Sequence, residues 1–148
     1  MIRHRAGERG SASVEFLSLG VLLLVPLIYL VITVAKVEAA TFAAEGAARH
    51  AARLAVATTS DADRARAVNG VVAQAMADFD LDPNAAAVRV QCEPADCRGA
   101  GAHVEVTVTA RVALPLVPDW LVTNQVGGVQ VAASATYSVS RFASEGQR

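Results

Sequence analysis

At 148 residues the chain has room for about one folded core, which must share its length with anything placed in a membrane. Hydrophobic residues make up 53% and charged residues 18%, against roughly a quarter charged in an ordinary soluble domain, which excludes a disordered chain and points to lipid. Thirteen Lys and Arg are spread along the chain against fourteen Asp and Glu, a net charge of −1; with no basic face to displace counterions, nucleic acid is excluded as a partner.

The apolar excess is concentrated near the N-terminus. From Phe16 to Ala35 the chain reads FLSLGVLLLVPLIYLVITVA, without a charge. A helix of that length rises about 30 Å, the thickness of a bilayer's hydrocarbon core, so it can cross once. Arg3, Arg5 and Arg9 precede it with only Glu8 opposed, and Lys36 and Glu38 follow it. The positive-inside rule keeps the N-terminus cytoplasmic and puts everything after residue 36 outside. Pro26 removes one backbone bond and predicts a kink, which a membrane helix tolerates. A cleaved secretory signal is the rival reading. Against it, the apolar run exceeds a normal h-region, only Thr33-Val34-Ala35 approaches a small-x-small site, and Lys36–Ala57 continues as helix instead of a cleavage loop.

The entry to the apolar run reads Gly10-Ser11-Ala12-Ser13-Val14-Glu15-Phe16. A carboxylate that reached the bilayer centre would cost about 2.5–3.5 kcal/mol, and less near the interface, so Glu15 asks for a reason. One is simple: an acid in a first helical turn gains about 0.3–1 kcal/mol from the helix dipole. The other is a constellation. A short basic leader ending in Gly10, then Glu15 and Phe16 at the threshold of a membrane helix, resembles the class III signal of type IV pilins and pseudopilins. That resemblance implies cleavage by a prepilin peptidase at Gly10-Ser11, and pairing of Glu15 with the free amine of a neighbouring subunit. Each charge would offset the cost of the other in low dielectric.

The segment VEAATFAAEGAARHAARLAV is similar to the one that follows the membrane span in TadE-like proteins of the tight-adherence (Flp) pilus system, where an acid, small residues, glycine and arginine recur along a helix. The likeness covers residues 10–57; beyond them the order of elements and the strand ATYSVSRF support it, without separating TadE from its sister TadF. A chain with so much sequence after its span is too long for the main Flp pilin, and short for a TadG-type protein. The resemblance implies a minor pseudopilin that performs no chemistry itself and works with a prepilin peptidase, other pseudopilins or the Flp pilin, an inner-membrane platform and an assembly ATPase. The alternative is a single-pass anchor whose outer domain binds an envelope partner.

The expected division is a basic leader over 1–10, a membrane and juxtamembrane helix over 11–57, and an extracytoplasmic α+β domain over 58–148. On the juxtamembrane helix Ala40, Ala44, Ala47, Ala51 and Leu54 form a stripe of mostly small side chains. Opposite them Glu38, Glu45, Arg49 and Arg53 make a charged row, a solvated face that can also meet a partner. Thr58-Thr59-Ser60 interrupts the helix, and Ser60 with Asp63 resembles a capping box. A second helix then presents Ala65, Val68, Val72, Met76 and Phe79, until Asp80-Leu81-Asp82-Pro83-Asn84 stops it. Three alternating runs follow: Val88 to Cys92, Val104 to Leu114, and Val129 to Val139. Each buries one side, so a three-stranded antiparallel sheet with a covered face is expected, the second helix supplying the cover in a pilin-like α+β fold.

Cys92 and Cys97 flank a turn-prone insert, and outside the cytoplasm they most simply form a disulfide. A zinc site would need two more ligands from His103, Glu93 and Asp96, short of the ordered four-ligand set that structural zinc takes. His4 lies in the leader, His50 on the alanine-rich helix and His103 at a strand start. No nucleophile elbow or phosphate loop occurs, so neither catalysis nor a small-molecule substrate or cofactor is expected. The loop Pro115-Leu116-Val117-Pro118-Asp119-Trp120-Leu121-Val122 is the most apolar connection outside the span. Its tryptophan either caps the open end of the core or meets the membrane surface or a partner.

Overall fold

A computed structural model describes residues 11–58, 60–94, 97, 99–117 and 128–141. In chain order they form α1 (Ser11–Ala57), α2 (Asp61–Asp78), a 3-10 turn (Pro83–Ala85), β1 (Ala86–Glu93), β2 (His103–Ala113) and β3 (Gly128–Ser138). This is the expected α+β arrangement of a long apolar N-terminal helix, a second helix and a three-stranded antiparallel sheet. The chain divides into two compact units, Met1–Ala35 and Lys36–Arg148. The second unit therefore starts at Lys36 and not at 58, because the alanine-rich half of α1 is part of its core.

Ala40, Ala43, Ala44, Ala47, Ala48, Ala51, Ala52 and Ala55 are all buried, a stripe about two residues wide. It is broader than the single line expected from the sequence, and Leu54 lies at its margin, only half-buried. Most of these alanines share one core with Val104, Val106, Val108 and Ala110 of β2 and with Val68, Val72 and Met76 of α2. The cover of the sheet, assigned to α2 alone from the sequence, is thus divided between both helices. A methyl group lets a helix backbone come close to a row of valines, and dense packing then leaves no room for larger groups.

The inward stripe of α2 is Arg64, Val68, Val72 and Met76, strictly four residues apart. Ala65 and Phe79, expected on that stripe, are exposed, because the helix is turned to bring Arg64 inside. Arg64 ends α1: its Nε donates to the Ala55 carbonyl (2.9 Å) and an Nη to the Thr58 carbonyl (3.1 Å), while it also pairs with Asp61. The last carbonyls of a helix lack partners within it, and the guanidinium fork supplies them. Ser60 does occupy the N-cap of α2 in extended conformation, yet its side chain makes no capping hydrogen bond, so the expected box with Asp63 is not formed. Asp63 pairs with Arg66 instead. At the other end Asp80 adopts a left-handed φ of 57°, the Asp80 amide donates to Ala77 and the Leu81 amide to Met76. That is a Schellman closure, and it turns Leu81 onto the core.

The sheet order is β1-β2-β3, both pairs antiparallel, with Val90 opposite Val106 and Val106 opposite Ala135. β2 is central, and its alternate residues Val104 to Val112 are buried. It stops at Ala113, so Leu114 lies just past the strand to which its period assigned it.

Two measurements check this packing. Ala48→Leu, which forces a larger group into a filled site, should destabilise the chain by about 1–3 kcal/mol in thermal melts in detergent, while His50→Leu on the exposed face should not. Arg64→Met, which keeps the apolar stem but removes the donors, should cost about 1.5–3 kcal/mol, with Arg66→Met near neutral.

Candidate functional site

The first candidate surface is the apolar part of α1. The helix runs uninterrupted through Pro26, and no part of its apolar window is buried. Fifteen large hydrophobic residues from Val14 to Val34 stand exposed, Phe16 at 78%. At about 1.5–3 kcal/mol for each such side chain, leaving this surface in water would cost tens of kcal/mol, more than a domain's net stability. The segment is long and apolar enough to cross a membrane. Two of its hydroxyls bond back to the helix: Ser18 donates to the Val14 carbonyl and Thr33 to that of Tyr29, each at 2.8 Å. Glu15 is different. It is exposed in the second turn of α1, not the first, and no hydrogen bond or ion pair reaches it among the described residues. Ser11 opens the helix, while Gly10 lies outside the described residues.

The second surface is the outward side of α1 beyond Lys36. Glu45 and Arg49 form an exposed ion pair at 3.2 Å, worth about 0.3–0.5 kcal/mol for this spacing in a helix. Glu38 is exposed as well. Phe42, passed over in the sequence, stands 64% exposed between Glu38 and Glu45, and the spacing of four and three residues is the signal that puts it on their side. Arg53 belongs partly to the fold, since it donates to the Tyr137 hydroxyl (3.2 Å) and lies 5.6 Å from that ring's centre. The hydrogen bond from Arg53 to Tyr137, and then the charge field of the phenol, hold the guanidinium above its ordinary range. The sign follows: the pair is intact below the ordinary arginine value and is lost only as pH rises through the raised one, so it adds no pH dependence near neutrality.

Cys92 and Cys97 are joined in a disulfide, with Cα atoms 5.2 Å apart, which closes the end of β1. Bonded to each other, they leave no thiolate for a metal, and no group of three metal-ligating side chains occurs among the described residues. His50 is exposed on α1, and His103 faces Glu93 across the β1–β2 register. Trp120 lies outside the described residues. Leu116, before it in the same loop, is 88% exposed at a left-handed φ of 65°.

No family model matches the chain, and neither do any curated protein or solved structure.

Replacing both Cys92 and Cys97 by serine should lower stability by about 2 kcal/mol, the chain-entropy value for so short a loop. The drop should appear as a melting temperature reduced by several degrees and equal to that of the reduced native chain.

Proposed function

We propose that the chain is a TadE-like minor pseudopilin of the tight-adherence pilus system, anchored by one pass through the cytoplasmic membrane. Its N-terminus is cytoplasmic and its second unit extracytoplasmic, in keeping with Arg3, Arg5 and Arg9 before the apolar run. A prepilin peptidase cuts between Gly10 and Ser11. The matured subunit then meets other pseudopilins or the Flp pilin at the inner-membrane platform, where an ATPase supplies the energy. Glu15 carries the reading: a carboxylate at the start of an exposed apolar helix, with no partner among the described residues, is stabilised by a cation brought from another chain. The free amine at Ser11 of a neighbouring copy is such a cation. Phe42 and the Glu38, Glu45 and Arg49 row give a second, weaker surface for neighbours, an aromatic set among charges.

The mature N-terminus decides between this role and the alternatives. Sequencing of the protein from cells with the peptidase should return Ser11; Met1 would mark an uncleaved anchor and a residue near Lys36 a secreted domain. Glu15→Ala should still insert in the membrane but lose fibre assembly, and normal piliation in that variant would remove the role given to Glu15.

A further inference from the structure

The apolar part of α1 carries a regular seam. Glu15, Ser18, Leu22, Val25, Tyr29 and Ile32 follow one another at alternating steps of three and four. Such steps keep to one side of a helix, and their mean of 3.5 is the repeat with which two parallel helices wind around each other. Every hydroxyl of the charge-free run lies on this side: Ser18, Tyr29 and, four residues further, Thr33.

Two groups on the seam lack the partner that hydrocarbon demands. The helix runs through Pro26, which has no N–H, so the carbonyl of Leu22 loses the donor normally found four residues on. In membrane helices a nearby hydroxyl or a neighbouring helix makes good such a loss. Ser18 and Thr33 do not, since they donate to the carbonyls of Val14 and Tyr29. The third hydroxyl, that of Tyr29, makes no hydrogen bond among the described residues. An uncommitted donor and a bare acceptor thus share one side of one helix, seven residues or about 10 Å apart along the axis. Pro26 stands between them on that side, and within a single copy they do not meet.

A second copy laid parallel brings them together. The Leu22 carbonyl points along the axis towards the level of Tyr29, and a helical side chain leans back towards the N-terminus, so the separation closes from both ends. Beside the carbonyl, Ser18, Val21, Leu22, Val25 and Pro26 line an open, mainly apolar groove with room for a neighbour's ring. A two-fold axis parallel to the helices makes the bond twice, and both chains then cross the membrane in the same direction.

We propose that the span is a parallel homodimer contact in which the Tyr29 hydroxyl of each copy donates to the Leu22 carbonyl of the other. The occupant is a second copy because the same seam offers one donor and one acceptor, each lacking what the other supplies; a wholly apolar partner would leave both unpaired in lipid. Glu15 falls on the same repeat but just before the charge-free run, where water at the interface screens the two carboxylates from each other. The inference rests on the membrane span and not on the pilus role.

The test uses the full chain labelled with a donor or an acceptor fluorophore at Ala57→Cys, the native cysteines being bonded to each other, in phosphatidylcholine vesicles at falling protein-to-lipid ratio. Energy transfer should follow a monomer–dimer equilibrium. Tyr29→Phe should weaken it about fivefold to tenfold through loss of two interhelical bonds. Pro26→Ala, which returns an N–H to the Leu22 carbonyl, should weaken it by a similar factor, and the double variant should be no weaker than either single one. Leu27→Ala, on the opposite side of the helix, should leave it unchanged. Additive losses, an unchanged equilibrium in Tyr29→Phe, or an equal loss in Leu27→Ala overturns the proposal. So does a chain that stays monomeric in vesicles while Val25→Cys cross-links to a different protein in cell membranes. Release of the chain from membranes by alkaline carbonate removes the span and the proposal together, whereas an uncut N-terminus with a Tyr29-dependent dimer defeats the pilus role and leaves this contact standing.

Discussion

On its inward side between Ala43 and Ala48, α1 carries nothing larger than a methyl group, and the core of the outer unit is built against this small-residue surface. The valines of β2 meet that surface, and Val88 of β1 and Val131 and Ala135 of β3 pack against the same core from either side. α2 fills the remaining space with longer groups, Val68, Val72 and Met76. Because the two helices share the sheet, the junction between them has to be tight. Arg64 makes it so by reaching back to the carbonyls at the end of α1.

Most of the fold was legible because it rests on short-range periodicity. Alternation in β2 and β3 and the charge-free run of α1 survive any tertiary context, since they state which side of an element avoids water. The misplaced residues lie where tertiary geometry chose between near-equal registers. On α2, Ala65 and Phe79 fit an apolar line as well as Val68 does, but the carbonyls of α1 required a donor, which turned Arg64 inward. Propensity arguments treat arginine as an outward residue, so its inward position could be read only from the line it shares with Val68, Val72 and Met76. The capping box failed for a related reason: Asp63 had a closer cation in Arg66.

The candidate site divides in the same way. Glu15 and Phe16 stand out in sequence because charge is rare there, and the helix around them supplies no partner among the described residues. Phe42 was hidden by the alanines around it, and only the outward turn of the helix separates it from them. Arg53, grouped with the charged row, is drawn to Tyr137 by a contact 84 residues away in sequence, which no local pattern encodes.

Three hydroxyls of α1 have a consequence for lateral motion. Ser18 and Thr33 in the apolar run, and Thr41 beyond it, all turn back to carbonyls one turn earlier. With Ser18 and Thr33 committed to the helix itself, the apolar run offers its surroundings little directional grip beyond Glu15 and the Tyr29 hydroxyl. Away from those two groups, rotation about its own axis, or sliding past another greasy rod, breaks no hydrogen bond and meets only the shallow corrugation of packed methyls. Such a stem can be repositioned at little energetic cost, and any fixed register must come from those two groups.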